Sequence, residues 1–332
     1  LEALLEVEFK DIEMGGIDLA YPASEVIINH ATDEEWAWIE ARIKQAIAAR
    51  TGRHSNWGQE VLVRFLARRL EAMGQATQAA DLVFELGTPE QQAFLRVKQG
   101  RFDEAVTIAK EHFSELPGLA IRFADALVEA GANEQAEAYL ASLLDTRARS
   151  TYLTWLGHHA QQTGRLSAAL AWWRQSMEQT PSLQTYQTLR QTARQLDMWP
   201  QVRQEVLAEL EEKKAWSTLV EIAVDEKEAG RALELLPKLP GWHGHSYEVR
   251  VAQVAERDHP QAALGIYRRR VKGLIKARGR GNYQEAARLL QRVRGIYQQQ
   301  QDQASWEKYV TSLRHEHRNL PAFRDELNKA GL

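Results

Sequence analysis

The chain has 332 residues, 44% hydrophobic and 26% charged, with no Cys and a formal net charge of −3. Without Cys, these residues supply no disulfide, no thiol nucleophile and no Cys-ligated zinc or iron–sulfur centre. No run approaches the length of an apolar membrane span, and the first thirty residues lack a basic start followed by an apolar stretch, so the sequence predicts no membrane segment, no secretory leader and a cytoplasmic location. The chain opens on Leu1, which suggests a piece of something longer.

The small net charge hides a separation. Residues 1–40 carry eleven acids against Lys10, whereas 268–294 carry ten bases against Glu285. Such polarity bears on partners and steering, not on fold.

Residues 1–31 show no clear periodicity. Apolar side chains scatter around Gly15-Gly16 and Pro22, which predicts an irregular acidic segment of extended or short helical pieces on the first helix pair. Thr32-Asp33-Glu34-Glu35 reads as a capping box, opening a helix from about Asp33 to Arg50. Thr51-Gly52 ends it, and Ser55 or Asn56 caps the next helix, with the stripe Val61, Leu62, Phe65, Leu66 and Leu70. Thr88-Pro89-Glu90-Gln91 sets a cap, a first-turn Pro and a Gln at the third helical position. Beyond it, helices of roughly twelve to sixteen residues alternate with short turns, and no stretch shows the alternation of a strand.

Six segments share one turn: a Gly, a short polar or aromatic run, and an Ala five residues on. They begin at Gly74, Gly100, Gly131, Gly164, a displaced Gly230 and Gly281. Steps from Gly100 to Gly131, Gly164, Asp197 and Gly230 are 31, 33, 33 and 33 residues, the span of a helix-turn-helix repeat. In the best-formed unit Leu153, Leu156, Gly157, Ala160, Gly164, Ala169, Trp173 and Pro181 stand at positions that resemble the tetratricopeptide signature. The sequence therefore predicts an all-α fold, an α-solenoid of stacked antiparallel hairpins wound as a right-handed superhelix. The array spans 32–236; Pro237, Pro240, Gly241 and Gly244 mark an irregular break or hinge at 237–246, and 247–332 closes the chain.

Near the C-terminus, Tyr283, Ala286-Ala287, Leu289-Leu290, Val293, Ile296-Tyr297, Trp306, Tyr309-Val310, Leu313-Arg314, His317-Arg318, Leu320 and Leu327 resemble the C-terminal end of bacterial SWIM-type zinc-finger proteins. The early run Gly16-Ile17-Asp18, Ile27-Ile28, His30-Ala31-Thr32 and Glu34-Glu35 is similar to the stretch that follows the finger in that family. The finger needs three Cys and a His, so here it is either absent or upstream. What the resemblance implies is an intracellular bacterial protein whose helical region is a scaffold, with no catalytic residues to carry over.

Candidate sites follow from the repeat geometry. If the first helix of each pair lines a concave face, Thr154, His158 and Gln161, then Gln187, Gln191 and Arg194, form a polar partner groove suited to a peptide backbone or carboxylate. Arg268, Arg269, Lys272 and Lys276, with Arg288 and Arg292, form a basic patch in helical ladders that could follow a phosphate backbone or meet an acidic protein. His315 and His317 lie on divergent sides of a helix and cannot chelate one ion; Trp242-His243-Gly244-His245 lacks a third ligand, so the sequence calls for no metal and no cofactor. No P-loop, dinucleotide fingerprint or nucleophile elbow is present. The expectation is a non-enzymatic scaffold for a protein partner, with nucleic-acid binding through 268–294 as the alternative.

Overall fold

A computed structural model of the chain describes residues 1–16, 22–49, 57–239 and 241–332, with the side chains of 241–246 outside that description. The expected helix stop at Thr51-Gly52, the cap at Ser55 or Asn56, Ile17-Asp18 and the side chains of Trp242-His243-Gly244-His245 therefore lie outside the described residues. Among the described residues there are twenty α-helices, one 3-10 turn and no strand, so the fold is an all-α helical-repeat solenoid. None of these helices is long and apolar enough to cross a membrane. The chain divides into two compact units, Leu1–His159 and Ala160–Leu332.

The first unit holds α1 (Glu2–Glu13), α2 (Ala23–His30), α3 (Asp33–Ala48), α4 (Trp57–Ala72), α5 (Ala76–Leu86), α6 (Pro89–Lys98), α7 (Phe102–His112), α8 (Pro117–Glu129) and α9 (Asn133–Ala141), with most of α10 (Arg149–Gln162). From α4 to α9 each helix packs on the next, and α6 also meets α8 while α7 meets α9, the neighbour pattern of stacked hairpins. The second unit takes α11 (Leu166–Gln179), α12 (Leu183–Gln195), α13 (Trp199–Glu212), α14 (Trp216–Asp225), α15 (Ala229–Leu235), the 3-10 turn Leu236–Lys238, α16 (Gly241–Ala255), α17 (Pro260–Ala277), α18 (Arg280–Gln299), α19 (Gln303–Glu316) and α20 (Pro321–Lys329). There α12 packs on α14 and α14 on α16, and α18 packs on α17, α19 and α20.

One expectation changes. Residues 1–31 contain two helices, α1 and α2, because Leu5, Ile12, Ile27 and Ile28 are buried with Ile39, Ile43, Ile47, Leu62 and Phe65 in one core; tertiary burial supplies what the weak local periodicity does not. In the expected break at 237–246 the 3-10 turn Leu236–Lys238 precedes Leu239 and α16 begins at Gly241, so the described backbone from 241 on is helical.

Local chemistry accounts for the helix ends. Thr32 and Thr88 both form complete capping boxes, the hydroxyl accepting from the third residue's backbone N–H while Glu35 or Gln91 accepts from the cap's own N–H. Turns within hairpins are closed by a residue in the left-handed region, followed by a backbone bond reaching five residues back, such as Arg101 N–H to Arg96 O and Ala132 N–H to Leu127 O. Gly74, Gly100, Gly131 and Gly164 fill that position, as does Asp197 at φ 56°. Lys214 at φ 55° and Lys227 at φ 59° come next, not Gly230, which lies inside α15; Gly281 likewise lies inside α18, and Arg278 and Gly279 take the positive φ. Five residues after Gly74, Gly100, Gly131, Gly164, Asp197 and Lys227 a side chain enters the core: Ala79, Ala105, Ala136, Ala169, Val202 and Ala232 are all buried. The repeat is thus a backbone register, and Gly is its commonest occupant rather than its definition.

Aromatic side chains fill the space between hairpins. Phe123 is fully buried and meets Phe94, Phe113 and Tyr139 edge-on at centroid distances of 5.9, 5.7 and 5.1 Å. Trp173 is buried in the second unit, while Trp38 is an exposed neighbour of the half-buried Trp36.

Candidate interaction surfaces

The first helices of successive hairpins carry polar side chains that tie each to the next. In the first unit Thr88 Oγ1 donates to Glu60 (3.3 Å), Gln91 donates to the Glu60 carbonyl (3.0 Å), Arg122 pairs with Glu90 (2.9 Å) and Trp155 Nε1–H donates to Asp125 (2.7 Å), linking α4, α6, α8 and α10 in order. Burial, and after it the Glu90 carboxylate, push the Glu60 carboxyl above its ordinary range. Each link fixes helix spacing while leaving the outer surface of the row open.

Two clefts open on that row. One, of about 570 Å³, lies between α6 and α8 and is lined by Phe94, Val97, Lys98, Arg122, Asp125 and Ala126. The other, of about 470 Å³, lies between α8 and α10 and is lined by Ile121, Ser150, Thr151, Thr154, Trp155 and His158. Asp125 and Trp155, one on each cleft, are joined by their hydrogen bond. Arg122 lies 5.6 Å from the centroid of Phe94, giving the first cleft a cationic and aromatic wall. His159 points the other way, buried, stacked on Trp155 at 4.8 Å and 3.2 Å from Glu137.

The six residues expected to form a groove separate in role. Thr154 and His158 are exposed on the second cleft of the first unit. In the second unit Gln161 donates to Thr192 (2.8 Å) and Gln187 to Asp225 (2.7 Å), so both amides are held by neighbouring helices. Gln191 and Arg194 are exposed on α12. Sequence spacing alone missed Phe94, Ile121, Arg122 and Trp155; the aromatic residues at helical spacing were the available signal, but they read equally well as core.

The second unit contains a denser ion network. Glu226 accepts from Tyr186 (2.8 Å) and Arg203 (2.6 Å), Arg203 also pairs with Glu228 (2.6 Å), and Arg190 pairs with Asp225 (2.8 Å). Burial, with the Glu226 bond next, raises the Tyr186 phenol far above its usual range. These groups lock α12, α13 and the α14–α15 turn together.

The basic segment is partly neutralised from within. Arg268 donates to the Tyr297 hydroxyl and lies 4.6 Å from the Tyr309 centroid; Arg269 pairs with Glu248, Arg292 with Glu256 (2.7 Å) and Arg288 with Glu285. Arg280 clasps Asp325 (2.6 Å) and Glu326 (2.9 Å), and Arg294 donates to the Gly331 carbonyl. The predicted patch therefore resolves into paired bases and Lys272 with Lys276, which share one cleft. Among the described residues no group of three or more His, Asp or Glu is placed to hold a metal ion.

No protein-family model matches the chain. It is similar to the uncharacterized protein YwqB of Bacillus subtilis (strain 168), 35% identical over 80 residues, which is 24% of this chain and 15% of that protein. The chain thus covers well under two thirds of that relative's length. Among solved structures, the tetratricopeptide domain of P58(IPK) aligns over 99% of this chain and 97% of its own, at 14% identity and a TM-score of 0.21, an overlap too low to carry an argument.

Proposed function

We propose that the chain is a non-enzymatic helical-repeat scaffold that seats a partner protein on the α6–α8–α10 face of its first unit. The observation that carries this reading is the pair of adjoining clefts flanking α8, open along the row and walled by Phe94, Arg122, Ile121 and Trp155. Mixed aromatic, aliphatic and charged walls suit a peptide segment: the apolar side chains take anchors, and Arg122, Asp125 and Lys98 set orientation. The supporting row of inter-helix bonds preorganises the face, so little ordering is lost on binding.

The substitutions Thr154→Arg and Ala126→Arg fill one cleft each, and Thr107→Arg on α7 serves as the control. Loss of a captured native partner in the first two, with melting temperature kept and the control unaffected, is the expected result. Retention of the partner in both cleft variants removes the reading.

We also propose that the chain belongs to a SWIM-type zinc-finger parent. What supports this is the C-terminal run of residues on α18–α20 quoted above and the early Ile27-to-Glu35 run. The reading frame upstream of Leu1 tests it: three Cys and a His at finger spacing are expected, and their absence from the parent gene contradicts it. Nucleic-acid binding along the whole 268–294 ladder loses support from the pairing of Arg269, Arg280, Arg288 and Arg292 with carboxylates.

A further inference from the structure

Within the basic segment three bases that share one cleft stand outside the ion pairing. Lys272 and Lys276 stand one turn apart near the end of α17, and Arg278 follows; all three are exposed and line a cleft of about 350 Å³ with Ile275, Glu316, His317 and Leu320. No ion pair joins any of the three cations to a carboxylate among the described residues, whereas four other bases of the segment, Arg269, Arg280, Arg288 and Arg292, have one. The cleft's acid, Glu316, lies 3.9 Å from His317. Three fixed positive charges against one carboxylate leave a surplus of two, the charge of a phosphate monoester dianion.

Backbone conformation adds a second, independent observation. Arg278 has φ 58° and ψ 179°, a region held almost solely by Gly, although Gly279 is the very next residue. A side chain that needed only to end α17 would be better served by Gly at 278. The Arg is kept at the rim of the cleft against local backbone preference, and the planar guanidinium is the group that grips a phosphate through two parallel bonds.

We propose that the α17–α19 cleft of the second unit is a phosphate monoester site, with Lys272 and Lys276 as point charges along one wall, Arg278 as a bidentate clamp at the rim and His317 as a donor from the end of α19. Its footprint of three cations suits one phosphoryl group rather than a strand of them, and Ile275 and Leu320 offer apolar contact to whatever carries the phosphate. This site is separate from the partner face on α6–α8–α10 and does not depend on it.

The test uses the full chain with inorganic phosphate, a blocked phosphoserine tripeptide and its unphosphorylated form, followed by calorimetry and by the His317 ring resonances. Saturable binding of a phosphate-bearing probe is expected, with no binding of the unphosphorylated peptide. Lys272→Gln and Lys276→Gln each weaken it about tenfold, and Arg288→Gln leaves it unchanged. Arg278→Gly is the decisive variant, because relief of the backbone strain raises the melting temperature while affinity falls by about tenfold. Tighter binding of the tripeptide than of phosphate assigns the site to a phosphorylated protein, and equal binding assigns it to a free phosphate ester. No saturation by either probe below about 10 mM overturns the proposal, as does affinity unchanged in Arg278→Gly and both Lys variants. A single-stranded oligonucleotide that binds with a log–log salt slope well above about 2, and weakens in Arg288→Gln, overturns it in favour of a nucleic-acid surface.

Discussion

Trp155 donates its Nε1–H to Asp125 Oδ1 at 2.7 Å, so one hydrogen bond ties α10 to α8 and joins the two clefts of the first unit. The indole also stacks on His159, so its edge makes the bond and its face makes the stack. Trp155→Phe keeps an aromatic ring and removes the donor. A double-mutant cycle with Asp125→Ala is expected to give a coupling of about 0.5–1.5 kcal/mol by urea unfolding. Independent, additive losses contradict the bond as described.

The left-handed turn positions make an opposite-signed pair of tests. Lys227 and Gln301 hold positive φ without being Gly, so Lys227→Gly and Gln301→Gly each gain about 1 kcal/mol, while Gly100→Ala and Gly131→Ala lose about 1–2 kcal/mol. Midpoints of chemical denaturation with unchanged slopes are the readout. Destabilisation by Lys227→Gly implies that the Lys side chain does something its conformation does not reveal.

Acid should loosen the α18–α20 clasp. The Arg280 bond, followed by Lys329, holds the Glu326 carboxyl below its ordinary range, and Lys329 with Arg280 does the same for Asp325. A carboxylate whose folded pKa is lowered stabilises the fold fully above its unfolded pKa and loses that stabilisation as pH falls through the folded value. Hydrogen exchange in α20 should therefore accelerate as pH drops from about 5 to below 4, after correction for intrinsic rates, and Arg280→Ala should remove most of that pH dependence. Exchange in α20 indifferent to pH across this window counts against the clasp.

Glu8 and Glu60 work in the opposite direction. Burial, then Asp11, raises the Glu8 carboxyl, and burial, then Glu90, raises that of Glu60. Their folded states bind protons more readily than the unfolded chain, so each costs stability at neutral pH and the cost is relieved as pH falls through the raised value. Glu8→Gln should raise the melting temperature at pH 7 and narrow its gap to wild type at pH 4.5. A melting temperature lowered at both pH values contradicts the direction.

Phe123 is the densest aromatic point of the first unit. Phe123→Ala removes edge contacts to three rings and leaves a cavity, and should cost about 3–5 kcal/mol; Phe123→Leu should recover most of the loss. A loss under about 1 kcal/mol would mean that the neighbouring hairpins close over the gap.

The repeat is legible in the chain because its turn geometry is local. A left-handed residue at the end of one helix and a small or aliphatic side chain five positions later leave a mark that Gly74 to Ala79, Gly100 to Ala105 and Gly164 to Ala169 show plainly. Where Lys227 takes the left-handed position, the mark shifts and attention falls on Gly230, three residues late. Residues 1–31 resist reading for a different reason: Leu5, Ile12 and Ile27 owe their helical setting to a core shared with Ile39 and Phe65. The surfaces were harder still. Spacing places Gln161 and Gln187 on an open face, yet a glutamine amide cannot declare from sequence that Thr192 or Asp225 will bind it. In the same way the ladder Arg288 and Arg292 looks free until Glu285 and Glu256 are brought alongside, while Lys272 and Lys276 stay open.

The most direct measurement is site-specific photo-crosslinking in the native cell, with the reactive residue placed at Lys98 or Thr154 beside the two clefts and at Lys110 or Glu134 on α7 and α9. Crosslinks from Lys98 and Thr154 to one and the same protein, with none from the α7 and α9 positions, are the predicted result. Crosslinks confined to α7 and α9, or the absence of any common product from the two cleft positions, would contradict the α6–α8–α10 face as the partner surface.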